Sequence, residues 1–311
     1  FQVIEGLNFT REFELNNNYY QQFLTPKIGY LYTPYKNQDG LPIFDSSLTN
    51  FSYNSIFASR SFSGYDRIQN TNQLSYALST SIYEKTNNKD VLDLSVGQIY
   101  YFADRKVSLS NDSSTISKQI PEYNNPWSDL ASNLTYHFND NWTFTLNNTY
   151  DVNRSKLDSL DYLLQYKLNP QNILNLGFST NRYDYSSLSN EQILNGDTPP
   201  RNSQIISSFI WQLSPTWHTI GKINYSLSLH KNMDLFAGIT YDSCCWVTSF
   251  GIRRFIEATG DPNNPQQYSG SINTSFMLQF ELKGLGSLSS GEISELGGSI
   301  PGFQKYQSGF R

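Results

Sequence analysis

Long runs of this sequence alternate apolar and polar residues with a period of two, and that alternation restricts the fold more than any other feature. In "WTFTLNNTYDV", Trp142, Phe144, Leu146, Tyr150 and Val152 share one face, and Thr143, Thr145, Asn147, Thr149 and Asp151 share the other. "KINYSLSLH" sets Ile223, Tyr225, Leu227 and Leu229 against Lys222, Asn224, Ser226, Ser228 and His230. "SFMLQFELK" sets Phe276, Leu278, Phe280 and Leu282 against Ser275, Met277, Gln279, Glu281 and Lys283, and "NQLSYALSTSIY" repeats the pattern. Successive side chains of a strand point to opposite faces, so each run reads as a strand with one apolar face. The runs reach the ~9–11 residues that a tilted strand needs to cross a bilayer, against a mean of ~5–6 in soluble proteins.

Two architectures use such strands: a transmembrane β-barrel, apolar outside and polar inside, and a soluble β-sandwich or solenoid. The connections separate them. Strands are expected at about 3–15, 21–35, 72–84, 90–102, 128–138, 141–152, 158–168, 172–184, 203–213, 216–228, 232–242, 246–257 and 272–283. Short turns such as "FNDN" (138–141), "LNPQN" (168–172) and "SPT" (214–216) fall at every second junction. The long connections 36–71, 103–127, 185–202 and 258–271 fall at the others. Outer-membrane barrels sort their loops this way, short on the periplasmic side and long outside, and a sandwich has no reason to. The expected fold class is all-β, a transmembrane antiparallel β-barrel to which this chain contributes roughly 12–14 strands.

Parity bears on completeness. With the last strand ending in the periplasm, an odd count near thirteen starts the first strand outside the cell, whereas bacterial barrels have an even number. Residues 1–311 therefore read as the C-terminal portion of a larger barrel, although Asn50 to Ala58 could hide one further strand. Half a barrel leaves two open edges, so the chain is not expected to fold alone. The N-terminus "FQVIEGLNFTREF" has no basic region followed by an apolar core, and no signal peptide is read there.

Composition excludes several functions. Aromatic residues make up 15% of the chain, with 22 Tyr and 20 Phe, and charged residues only 16%, the reverse of a disordered chain. The net charge of −5 comes without a basic block, which argues against a nucleic-acid surface. His137, His218 and His230 form no pair at i+2 or i+4, and no Ser/His/Asp arrangement, metal cluster or phosphate loop stands out. No enzyme activity, metal or cofactor is expected. Trp142, Trp217 and Trp246 suit an aromatic girdle, and Lys222, Asn224, Gln279 and Glu281 a hydrated lumen.

The 2 cysteines are adjacent, Cys244 and Cys245 in "YDSCCW". Consecutive Cα atoms lie ~3.8 Å apart, below the ~4.4–6.8 Å that disulfides prefer, so the pair does not readily bond to itself. Strand counting puts it at a periplasmic turn, where oxidation is possible. Two readings stand at this point: small residues at a turn, or thiols with partners outside the chain.

"YDSCCW" (241–246), "FSGYDRIQNTNQ" (62–73), "SVGQIYYF" (95–102), "LYTPYKNQ" (31–38) and "SFMLQFELKGLGS" (275–287) resemble, in the same order, the C-terminal barrel region of the LptD family of LPS-assembly outer-membrane proteins. The tail "YQSGFR" is similar in character. The resemblance makes the chain about the second half of the family's barrel, without the periplasmic jelly-roll domain and first strands. It implies a Gram-negative outer-membrane location and a role in inserting lipopolysaccharide into the outer leaflet. Lipid A would leave by a lateral seam while the sugars cross the lumen. The implied partners are an LptE-type lipoprotein plug, periplasmic LPS-bridge proteins reached through the absent N-terminal domain, and lipopolysaccharide itself.

Residue by residue, the resemblance implies that Cys244 and Cys245 form long-range disulfides with cysteines outside this chain. It makes the last strand, with Ser275, Phe276, Met277, Leu278, Gln279, Phe280 and Glu281, one side of the seam. Gly284, Gly286 and Gly291 would limit that ladder, or simply end the strand before a periplasmic tail. Loop 36–71, with Asp45, Arg60, Asp66 and Arg67, would cap the lumen or stand as an extracellular loop with ordinary surface salt bridges. Pro199 and Pro200 stiffen the 185–202 connection. A passive porin-type channel is the alternative function, and an outer-membrane lipid hydrolase a more distant one.

Overall fold

The computed structural model describes residues 1–109, 121–182, 201–259, 269–283, 286–289 and 298–302. Its strands are β1 (Gln2–Gly6), β2 (Phe9–Leu15), β3 (Asn18–Thr33), β4 (Thr71–Glu84), β5 (Lys89–Tyr101), β6 (Leu130–His137) and β7 (Trp142–Asp151). They continue as β8 (Lys156–Asn169), β9 (Asn172–Arg182), β10 (Arg201–Gln212), β11 (Trp217–Ser226), β12 (Lys231–Asp242), β13 (Trp246–Thr259), β14 (Ser269–Leu282) and β15 (Gly286–Ser289). Apart from β2, which shares the edge of β3 with β1, the order is sequential from β1 to β15. Among the described residues the paired strands run antiparallel, as between β13 and β14, where Trp246 faces Leu282 and Thr259 faces Ser269. This is the all-β antiparallel meander expected from the alternation.

The interruption between β1 and β2 has a local cause. Leu7 and Asn8 lie opposite Thr25 and Pro26 of β3, and Pro26 has no N–H to give to the ladder. Leu7 N–H still donates to the Pro26 carbonyl at 3.1 Å, and Thr25 Oγ1 donates to Asn8 Oδ1 at 2.8 Å. Asn50 to Ala58 holds no strand. A 3-10 turn, Tyr53–Ser55, occupies it, held by reciprocal bonds between Ser52 and Ser55.

Two compact units share the chain. The first comprises Phe1–His137, Thr145–Asp161 and Asn181–Pro200, and the second Phe138–Phe144, Tyr162–Thr180 and Arg201–Arg311. In each, one sheet face is apolar and open. In the second, Phe276 and Leu278 are 66% and 56% exposed while Met277 between them is 7% exposed. Leu174, Leu176, Ile205, Phe209, Phe250 and Ile252 continue that open apolar face, and Asn175, Ser208 and Ser249 are buried on the other. A soluble sheet would hide its apolar side. Here the apolar side faces out and the polar side in, which is how a strand meets lipid.

The turns at 138–141, 170–171, 213–216 and 243–245 lie at one end of the second unit, and the turn at 227–230 at the other. Leu229 and His230 belong to a turn rather than to β11, and His230 has φ +51°.

Candidate functional site

The cysteine turn is built by β12, β13 and the end of β14. Ser243 N–H donates to the Trp246 carbonyl, and Lys283 N–H donates to the Cys245 carbonyl, both at 2.9 Å. Lys283 Nζ lies 2.6 Å from Asp242 Oδ1. Both thiols are free and exposed, with their Sγ atoms 2.8 Å apart. The Cys245 hydrogen bond, with help from Ser243 and Lys283, holds the Cys244 thiol below its usual pKa. The same contact, with the developing charge on Cys244, pushes Cys245 up. The two thiols are thus unequal, Cys244 giving up its proton more readily than Cys245. Trp217, Tyr241, Trp246 and Phe280 form a row of mutually tilted rings beside the turn, with ring centroids 4.9, 5.2 and 6.0 Å apart in that order. Trp142, Trp217 and Trp246 are the first residues of β7, β11 and β13.

In the first unit, residues 34–70 pack on the polar side of the sheet. Ile56 is fully buried against Ile99 and Ala131, with Phe51, Tyr53, Phe57 and Tyr101 around them. Ser75 Oγ of β4 donates to the Ile56 carbonyl at 2.7 Å, and Lys27 Nζ sits 4.3 Å from the centre of the Phe57 ring. Gly97 makes the close approach possible. A Cβ there would meet the Ile56 and Ala77 side chains and the Tyr76 carbonyl at 2.8 Å each.

Asp66 and Arg67 tie this segment to itself. The Phe44 and Asp45 N–H groups donate to Asp66 Oδ2 at 2.8 and 3.0 Å, and these bonds hold its pKa down at about 2. Arg67, 2% exposed, donates to the Asp66 and Leu41 carbonyls. Among the described residues neither joins an ion pair, and Arg60 rests over the Tyr65 ring at 4.3 Å.

The strand carrying Ser275, Phe276, Met277, Leu278, Gln279, Phe280 and Glu281 is β14, and it is not the last. The chain turns after Lys283, and β15 pairs back on it, from Leu282 opposite Gly286 to Gln279 opposite Ser289. Gly286–Ser289 therefore add one short antiparallel strand to the sheet. Gly284, Gly291, Pro199, Pro200 and the "YQSGFR" tail lie outside the described residues.

The family model for LPS transport system D matches residues 1–217. The chain belongs to the LptD family. LPS-assembly protein LptD from Francisella tularensis is 31% identical over 312 residues, covering 99% of this chain and 36% of that protein. LptD from Legionella pneumophila is 35% identical over 314 residues, covering 96% and 35%. LptD from Xanthomonas oryzae is 29% identical over 303 residues, covering 97% and 35%. The chain thus spans about a third of the length of these LptD relatives.

One element of this LptD-family chain escaped the sequence reading. Residues 298–302 pack on the polar side of the second unit's sheet, where Ile300 is 2% exposed against Ile173, Ile210, Ile220, Phe236 and Met277. Lys222 Nζ donates to Ser299 Oγ at 3.1 Å. Gln165 Nε2 and Asn175 Nδ2 both donate to the Pro301 carbonyl, at 3.2 and 3.0 Å. Gly302, at φ +84°, turns the chain where a Cβ would press on Gln165 and Ile173. The signal was present. Ile173, Ile210, Ile220, Phe236 and Met277 break the polar side of their strands, and apolar residues facing water call for a cover.

Proposed function

We propose that this chain forms the C-terminal wall of an outer-membrane LPS translocon in a Gram-negative bacterium. Membership of the LptD family carries the reading, and the open apolar face with a polar face behind it supports it. The whole protein would deliver lipopolysaccharide to the outer leaflet, a task of transport and assembly rather than catalysis. Lipid A would leave by a seam involving β14 while the sugars cross the lumen. Its partners would be an LptE-type lipoprotein plug and a periplasmic LPS bridge.

Cys244 and Cys245 would join cysteines outside this chain. An exposed thiol whose pKa is lowered beside an ammonium on a turn suits thiol–disulfide exchange, since the thiolate is the attacking species. Residues 34–70, with Asp66 and Arg67, would close the outer end of the lumen. Opening a seam in lipid leaves ladder groups unpaired at several kcal/mol each, so the seam needs a short pairing. The pairing of β14 with β15 is of that kind, four residue pairs from Gln279 to Leu282.

A passive porin-type channel fits less well, because its polar side must stay open to solutes. Here residues 34–70 and 298–302 both cover parts of that side.

The test is depletion of the chromosomal protein in cells carrying a full-length plasmid copy, with surface LPS as the readout. Wild type restores surface LPS and co-purifies with a lipoprotein. On a non-reducing gel, Cys244→Ser and Cys245→Ser each change the oxidised mobility. Unrestored LPS rejects the translocon reading, and unchanged mobility in both variants rejects the disulfide assignment.

A further inference from the structure

Two adjacent arginines of β13 meet different surroundings. Arg253, on the polar face, grips Asp234 of β12 with two bonds, Nε to Oδ1 at 2.8 Å and a terminal nitrogen to Oδ2 at 3.1 Å. Arg254 faces the opposite way, exposed, in register with Leu235 of β12 and Thr274 of β14. Among the described residues it has no carboxylate partner. It lines a cleft of about 240 Å³ with Lys231, Asn232, Leu235, Ile256 and Ile272. Lys231 likewise has no acidic partner among the described residues.

Height on the strand gives this cleft a meaning. Trp246, in the aromatic row beside the cysteine turn, marks one membrane boundary. Outward Phe250 and Ile252 follow it along β13, and then the outward position passes to Arg254. Eight residues separate Trp246 from Arg254, a rise of ~26 Å along the strand and ~20 Å along the membrane normal at a tilt near 40°. The apolar band of such barrels is ~25 Å tall. Arg254 therefore sits near the far boundary, at the depth of lipid headgroups. An unpaired guanidinium is strongly disfavoured at the bilayer centre and nearly neutral at that level. Among the described residues no carboxylate pairs with it there, and a lipid phosphate is the anion that the membrane supplies at that depth.

We propose that Arg254 and Lys231 hold the phosphate of a phosphorylated membrane lipid on the outer face of β12–β14, with an acyl chain lying along Leu235 and Ile239. The guanidinium supplies the planar two-pronged contact that phosphate favours, the ammonium a second charge, and the Asn232 amide a neutral donor. Aliphatic walls beside the cations select a lipid over free phosphate. Which leaflet it occupies rests on the proposed function. That reading turns this end of the strands outward, so the lipid is a phosphorylated glycolipid of the lipid A class, held on the strand that borders the seam.

The test uses the full-length protein in detergent micelles, with bound lipid counted by native mass spectrometry. The probes are diphosphoryl lipid A, the same lipid without phosphates, and inorganic phosphate. Wild type should bind the diphosphoryl form at least ~10-fold more tightly than the dephosphorylated form, the scale of one charge-assisted contact. Arg254→Ala with Lys231→Ala should lose that preference, and Arg254→Lys should keep part of it. Heat-modifiable gel mobility confirms that each variant has folded. Equal binding of the two lipids by wild type overturns the site, as does an unchanged preference in the double variant or displacement by millimolar inorganic phosphate. Binding is read independently of transport. Lipid held at Arg254 without LPS delivery rejects the proposed function alone, and LPS delivery without a phosphate preference rejects this site alone.

Discussion

Lys283 Nζ and Asp242 Oδ1 lie 2.6 Å apart, and this ion pair joins the end of β14 to the turn that presents Cys244 and Cys245. It fixes a positive charge beside two thiols that already share a hydrogen bond. The two sulfurs are therefore chemically unequal, although they are adjacent in sequence and both exposed.

In reduced full-length protein, a short pulse of iodoacetamide should modify Cys244 before Cys245. Its rate should reach half its plateau at a lower pH, because the Cys245 contact and the nearby ammonium favour the Cys244 thiolate. Lys283→Gln should slow that reaction. Peptide mass spectrometry after pulses at several pH values decides the matter, and equal rates at the two sites would count against it.

Asp66 should make the 41–67 segment sensitive to acid. Folding lowers its pKa from 3.8 to about 2 through the Phe44 and Asp45 amides. The stabilisation is therefore complete above the unfolded value and disappears as pH falls from 3.8 through about 2. Hydrogen exchange at Phe44 and Asp45 should rise across that interval in wild type. In Asp66→Asn it should already be faster at neutral pH, with no further rise.

Gly97→Leu should loosen the packing of residues 34–70. The added side chain meets Ile56 and Ala77, and overpacking of this kind typically costs ~1–3 kcal/mol. Urea-dependent loss of heat-modifiable mobility should shift to lower urea, and Gly97→Ala should shift it less. An unchanged midpoint for Gly97→Leu would show that Ile56 moves aside freely.

Ile300→Ala should release the C-terminal cover without unfolding the sheet. The truncation removes most of a buried side chain, a loss of ~2 kcal/mol or more, and residues 298–302 form no strand pairing. Hydrogen exchange should quicken at residues 298–302 while β9 and β10 keep their protection. Loss of protection in the strands themselves would mean that this cover supports the wall.

The strands were legible because lipid imposes a simple rule. With apolar residues out and polar residues in, the period-two pattern in β7, β11 and β14 carries the structure directly. The pattern misleads where it continues by chance, as through Leu229 and His230, whose backbone instead reverses. Pro26 shows a second limit, since its effect falls on the neighbouring strand, at Leu7 and Asn8. The cysteine turn could be located from strand counting, but not its partnership with Lys283, which comes from a different strand. β15 is too short to show a period, and glycines surround it. Apolar residues from Ile173 to Met277 on the polar side announce a cover, but no local pattern says that Ile300 supplies it.

β15 covers only the Gln279–Leu282 end of a strand that begins at Ser269. An exposed strand edge invites the wrong chain, and newly made barrel proteins are most vulnerable before their sheets close. A chain that folds four of its own residues over that edge carries its own chaperone for the stretch beside the cysteine turn. Among the described residues that guard lies on the Gln279–Leu282 end, so the corner of the wall nearest the cysteine turn is closed from within one chain.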